Sequence, residues 1–263
     1  MTLTIQHRFK KNHTTYTQKG KGEPLVLLHG VGMRAEAWSP QIEFFSKEYL
    51  VIAPDMPGHG DSAPLPIDAT IKSYVNWAID FIESLELGPV NLAGHSMGSL
   101  ITLGVAATKP ELVKRIAILN GVYKRTDKAR EAVIARAKEL ESGEIDIETP
   151  LNRWFNQTPT DQIVAKHVRK WLSNININGY KAAYTAFAKG DLEYANEWSN
   201  IYCPTLVLTG ELDPNSTPEM AKLMAEKAKN AMVVIIRNER HMVNLTSPTI
   251  VNKKLTEWLN TTI

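Results

Sequence analysis

The chain has 263 residues, 43% of them hydrophobic and 22% charged, and its 30 Lys+Arg against 28 Asp+Glu leave a net charge of +2. Such a composition excludes a disordered or fibrous chain and leaves room for one large domain, while the near-neutral balance gives no reason to expect nucleic acid or an anionic membrane as partner. The single cysteine, Cys203, excludes an internal disulfide and a Cys-based zinc cage.

The chain starts MTLTIQHRFKKNHTTYTQKG, polar and basic without an apolar signal region, and no later apolar run reaches the ~18 residues of a membrane span. A cytoplasmic protein with a small-molecule partner is expected, and a homo-oligomer is left open. Taken in chain order, short apolar runs at 25–28 (LVLL), 49–53 (YLVIA), 90–93 (VNLA), 116–119 (IAIL), 205–208 (TLVL) and 232–236 (MVVII) predict buried strands. Between them, 71–85, 99–108, 218–229 and 248–259 have helical patterning, so strand and helix alternate as in a parallel βαβ sheet. From 121 to 198 the alternation stops. Helical stretches at 126–140, 159–172 and 178–188 predict an all-helical insertion with its own aromatic core, dividing the chain into a core of 1–120 and 199–263 and a lid of 121–198.

Gly94-His95-Ser96-Met97-Gly98 follows the strand VNLA and opens a helix. A serine on so tight a turn needs small flanking residues and stands at the carboxyl edge of the sheet, beside free helix N–H groups. A hydroxyl nucleophile requires a base held by a third group. Asp213, after TLVL, and His241, 28 residues on and after MVVII, project from the same edge in the order Ser, Asp, His. The oxyanion donors expected are the backbone N–H groups of Met97 and of Val31, in the loop His29-Gly30-Val31-Gly32. That loop also reads as G-x-G-x-x-A, with Asp55 ending the next strand 25 residues after Gly30, a dinucleotide-binding pattern. Pro40, which breaks any helix beginning at the loop, and the polar loop around Asp55 argue against it, and a cofactor would leave Ser96, Asp213 and His241 without a purpose.

LLHGVG, APDMPGHGDS, LAGHSMGS, TLVLTGELDP and RHMVNLTSP, in this order and spacing, resemble the α/β-hydrolase superfamily over residues 20 to 260. The resemblance implies an α/β-hydrolase fold with a mostly parallel eight-stranded sheet, flanking helices and a helical cap inserted after strand six. It also implies Ser96 as nucleophile, His241 as base and Asp213 as its orienter. Arg240 stands where the family usually has glycine before the histidine, a departure that either narrows the space beside His241 or places a cation near a substrate carboxylate. Substrate contacts are also expected from Trp38, Trp154 and Tyr184 and from His29 and His95, whose alternative role is to hold loop geometry by hydrogen bonds, and Arg125, Arg153 and Lys189 are candidates for a carboxylate partner. No cofactor and no metal are expected. The leading reading is a carboxylic ester hydrolase acting on a small ester or lactone. The same triad would serve a C–C (meta-cleavage product) or amide hydrolase, and a noncatalytic small-molecule binding protein could keep the fold.

Overall fold

Short runs rich in Val, Ile and Leu, bounded by Gly, Pro and Asn, form the sheet of the computed structural model, which describes residues 8–143 and 145–263. The first seven residues of the polar start lie outside the described residues. The strands are β1 (Phe9–Lys11), β2 (Thr14–Lys19), β3 (Glu23–Leu28), β4 (Tyr49–Pro54), β5 (Val90–His95), β6 (Val113–Leu119), β7 (Thr205–Gly210) and β8 (Ala231–Ile236). They lie in the order β1-β2-β4-β3-β5-β6-β7-β8, with β2 antiparallel to both neighbours and all other pairs parallel. The six runs read as strands are all strands, and the eight-stranded sheet implied by the resemblance is completed by β1 and β2. These two are too polar (FKK and TTYTQK) for apolar periodicity to reveal.

Side chains alternate across the sheet, as the twofold period of a strand requires. Leu25 and Leu27 of β3 point into one core with Trp38 and Trp258, whereas Val26 and Leu28 point into the other with Leu92 and Tyr74. The first face is covered by α1 (Ser39–Phe45), and the second by α2 (Ile71–Leu85) and α3 (Met97–Thr108). Pro40 sits in the first turn of α1, where a missing N–H costs nothing, so it starts a helix as well as separating that helix from the preceding loop.

Between β6 and β7 the described residues contain no strand. The helices there are α4 (Asp127–Glu139), α5 (Glu148–Trp154), α6 (Pro159–Ser173) and α7 (Ile177–Lys189). Thr126, Thr158 and Asn176 each accept a bond from an N–H in the first turn of the helix they precede, which is how this stretch is cut into separate helices. The chain ends with α8 (Pro218–Lys227), the single turn α9 (Val243–Thr246) and α10 (Pro248–Leu259), which packs Trp258 under the sheet with its indole N–H on the carbonyl of Pro204.

The aromatic residues of the insertion do not form a core of their own, contrary to expectation. Tyr180, Phe187 and Trp198 join the main core, and Phe155 packs with Met33, Met242 and Leu245 from the loops beside the sheet. The insertion is thus built onto the core. Backbone meets backbone where Gly179 of α7 faces Gly58, and a Cβ on Gly179 would lie 2.4 Å from the Gly58 Cα. Helix propensity alone would make Gly179→Ala stabilising by about 1 kcal/mol. The backbone on the other side cannot swing away as a side chain can, so overpacking of about 1–3 kcal/mol should win. Calorimetry should show a melting temperature several degrees below that of the native chain, and an unchanged or higher value would contradict this account of the contact.

Candidate active site

Ser96 occupies the one-residue junction between β5 and α3 with φ 54° and ψ −115°, a conformation that a residue with a Cβ rarely adopts. The turn is this tight because its flanks are glycine. A Cβ on Gly94 would lie 2.1 Å from the carbonyl oxygen of Gly98, and one on Gly98 would lie 2.3 Å from that of Leu28. The Ser96 N–H donates to Leu119 O at 2.9 Å, and Ser99 Oγ donates to Ser96 O at 2.5 Å, so both ends of the strained peptide are held.

Strands β7 and β8 are adjacent, and the loops after them bring Asp213 and His241 together. His241 Nδ1 donates to Asp213 Oδ2 at 2.7 Å. Since an ionised carboxylate only accepts, the bond fixes the imidazole tautomer with the proton on Nδ1 and leaves Nε2 as the lone-pair nitrogen. Asp213 is almost wholly buried. Burial pushes its pKa up, but the neighbouring His241, the Asn120 amide and the Asn215 N–H outweigh that and hold it below the usual carboxylate value. Asn120 Nδ2 lies 2.8 Å from Oδ2, and the N–H groups of Asn215 and Ser216 lie 2.8 and 3.1 Å from Oδ1. Asn120 stands just beyond β6 with φ 49°, and it was not among the residues expected at the site. Its position one residue past the run IAIL was the available signal.

The loop after β3 is held by two neutral histidines. His59 Nε2 accepts from the Gly32 N–H at 2.9 Å, and His29 Nε2 accepts from the Met56 N–H at 2.8 Å. Their other ring nitrogens donate to the carbonyls of Pro57 and Gly30. Burial pushes the pKa of His59 down to about 4 and that of His29 well below its ordinary value. Asp55 accepts from the Ala35 N–H at 2.8 Å and pairs with Arg8, so the acid of the apparent dinucleotide motif braces this loop from below. With the Gly32 N–H on His59 and the Met33 N–H on Gly30 O, Val31 is left to present its own.

Ser96, His241 and Val31 line one cavity of about 1020 Å³ roofed by the insertion, together with Trp154 and Tyr184. Four other expected contacts are corrected by the structure. Trp38 is fully buried under the sheet, and His29 is fully buried beneath the loop. His95 donates from Nε2 to the carbonyl of His241 at 2.8 Å, its pKa pushed down by burial to about 3, so it supports the site from behind. Arg240 turns toward α5 and bonds Asn156 Oδ1 at 2.9 Å instead of lining the cavity. The Met97 side chain is also buried, so only its backbone at the start of α3 can serve the site. Of the candidate cations, Arg125 and Arg153 line the cavity and Lys189 does not; Arg136 of α4, absent from the sequence candidates, also lines it.

Polar atoms in this lining lack partners. Arg125 Nη2, Arg136 Nε and Tyr123 Oη are buried without a hydrogen bond among the described residues. Arg125 is otherwise fixed, paired with Asp191 at 3.3 Å and stacked 4.4 Å from the Phe187 ring centroid.

Residues 25–254 match the family model described as the alpha/beta hydrolase family. The chain belongs to that family, and its class is that of a hydrolase. Among curated proteins it is 62% identical over 247 residues, 94% of each chain, to (E)-2-((N-methylformamido)methylene)succinate hydrolase of Acinetobacter baylyi. Among solved structures, a thermophilic esterase from Thermogutta terrifontis superposes with a TM-score of 0.88 at 24% identity, covering 97% of this chain and 98% of that one. The enol-lactonase of Burkholderia xenovorans gives 0.85 at 23% identity, covering 97% and 100%. At such identities these two structures establish the shared fold alone.

The buried histidines make acid sensitivity a property of the site. A histidine whose pKa is depressed by folding contributes stability that is complete above its unfolded value near 6.5 and is lost as the pH falls toward the folded value. For His59 the window runs from 6.5 down to about 4. The urea-unfolding free energy should fall by on the order of 2–3 kcal/mol from this residue alone between about pH 7.5 and 4.5. A stability that is flat across that range would refute the neutral pair under the loop.

Proposed function

We propose that the protein is a serine hydrolase that cleaves the amide bond of a small N-acylated enamine bearing two carboxylates. The observation that carries this reading is the cavity itself, in which Ser96 and His241 open onto the same space as Arg125, Arg136 and Arg153. Buried guanidinium N–H groups without partners cost roughly 1–3 kcal/mol each unless a ligand supplies acceptors, and a carboxylate is the acceptor they match best. The A. baylyi relative is named for a succinate, a dicarboxylate, with a formamide attached through a methylene carbon. This favours amide over the ester or lactone that motifs alone put first.

In the proposed sequence Ser96 Oγ attacks the acyl carbon while His241 Nε2 takes its proton, with Asp213 holding the imidazole and facing the imidazolium. The oxyanion is received by the N–H groups of Val31 and Met97. His241 then protonates the departing nitrogen, and a water activated by the same ring releases the acyl group from Ser96. An enamine is a better leaving group than an alkyl amine, because its nitrogen lone pair is shared with a double bond conjugated to a carboxylate. That same sharing weakens the amide resonance, so a triad suited to esters suffices.

Two variants test the reading. Ser96→Ala should abolish turnover of an acylaminomethylene-succinate and labelling by a fluorophosphonate, whereas Ser96-independent turnover, or binding with no turnover at all, would overturn it, the latter in favour of a binding protein. Arg136→Ala should lower kcat/KM for the dicarboxylate by about 10- to 100-fold, the worth of a charged hydrogen bond, while leaving p-nitrophenyl acetate nearly unaffected. Equal losses on both substrates would remove Arg136 from carboxylate binding.

A further inference from the structure

The residue that departs from the family pattern, Arg240, joins the histidine loop to the end of a cap helix. A helix leaves its last carbonyls without partners of its own. In α5 the carbonyls of Asn152 and Arg153 face Arg240 Nη1 at 3.4 Å each, and that of Trp154 accepts from the backbone N–H of His241 at 3.3 Å. A guanidinium there also meets the negative end of the helix. Arg240 Nε is bonded to Asn156 Oδ1, and Asn156 Nδ2 returns to the carbonyl of Asn238 at 2.8 Å. A further tie runs from the same helix to the acid loop, where Arg153 Nη2 donates to Asn215 Oδ1 at 2.6 Å and the Asn215 N–H donates to Asp213. At the end of α5 the Trp154 ring lies along the imidazole of His241, with centroids 5.9 Å apart and planes at 27°.

We propose that Arg240 is a positioning residue for His241: by seating the last turn of α5 on the histidine loop, it holds the Trp154 ring against the imidazole and fixes the plane in which Nε2 faces Ser96. The inference rests on the reading of Ser96 as nucleophile and His241 as base. The need is geometric. A single hydrogen bond from Nδ1 to Asp213 allows the imidazole to tilt about the line joining the two atoms, and an aromatic face alongside removes that freedom. The same face is a favourable neighbour for the imidazolium formed when the ring takes the serine proton.

The test is the labelling of Ser96 by diisopropyl fluorophosphate, a small neutral probe with no carboxylate for the cavity arginines, resolved into binding affinity and the first-order phosphorylation rate. Arg240→Ala should slow the first-order step by about ten-fold or more while affinity stays within about two-fold, as expected for loss of orientation rather than loss of contact. Arg240→Lys should recover part of the rate, because an ammonium can still serve the last carbonyls of α5. Trp154→Phe should keep more of the rate than Trp154→Ala, which should resemble Arg240→Ala. If circular dichroism shows Arg240→Ala unfolded, Asn156→Ala and Trp154→Ala make the same comparison. Equal first-order rates in the native chain and the folded variants would overturn the inference while leaving the Ser96 reading intact. A native chain that is not labelled at Ser96 would remove both.

Discussion

The hydrogen bond from His241 Nδ1 to Asp213 Oδ2 is the interaction around which the carboxyl edge of the sheet is arranged. A carboxylate buried to this degree is costly unless its oxygens are saturated with donors. Here the donors come from three successive strand ends: Asn120 after β6, Asn215 and Ser216 beside Asp213 after β7, and His241 after β8. Their adjacency follows from the strand order, which places β6, β7 and β8 side by side and parallel. Residues 93 to 120 positions apart in sequence therefore meet at neighbouring strand ends, and Ser216 Oγ closes the arrangement by donating to the Asn120 carbonyl.

Around this bond the protein uses histidines that do not titrate near neutrality. His29, His59 and His95 are buried, and their pKa values are depressed by that burial, so each is a neutral group with one donor and one acceptor in fixed places. Two of them take the backbone N–H groups of Met56 and Gly32 and so shape the loop carrying Val31, and the third supports the His241 carbonyl. A lysine or a carboxylate in these positions would bring a charge into a dry region. Sequence proximity to Ser96 and Val31 leaves His95 and His29 two roles, substrate contact or loop geometry, and burial assigns them to the frame.

What could be read from the sequence was the part that rests on local rules. The six apolar strands, α2 and α10 to the residue, and the edge shared by Ser96, Asp213 and His241 all follow from periodicity, turn glycines and chain order. The less legible features depend on tertiary partners. β1 and β2 are polar strands that exist because β4 offers an edge to pair with. α5 is seven residues long, too short for a clear apolar repeat, and its last carbonyls are served by the loop at Arg240 and His241. Arg240 was conspicuous as a departure from the family pattern, but sequence could not say toward which side of the loop its side chain turns. Arg136 was hidden for the opposite reason, being one basic residue in a helix of which only Ala137 is buried.

A net charge of +2 over 263 residues gives no hint of how the charge is placed inside. Asp191 is buried and takes both Arg125 and Arg130, Arg130 also pairs with Asp127 at 3.1 Å, and Arg125 Nη2 is left buried without a partner among the described residues. Arg153 is tied by one nitrogen to a neutral amide, with burial and the nearby Arg136 both lowering its pKa. Glu139, Asp146 and Glu219 share the cavity lining with these cations, so in the proposed reading a substrate carboxylate meets a lining of mixed charge in which Arg136 and Arg153 stand on the side of the triad. In the proposed reading the core strands provide the chemistry at Ser96 and the insertion provides cationic side chains at the same cavity, with the contact between α5 and the His241 loop joining the two.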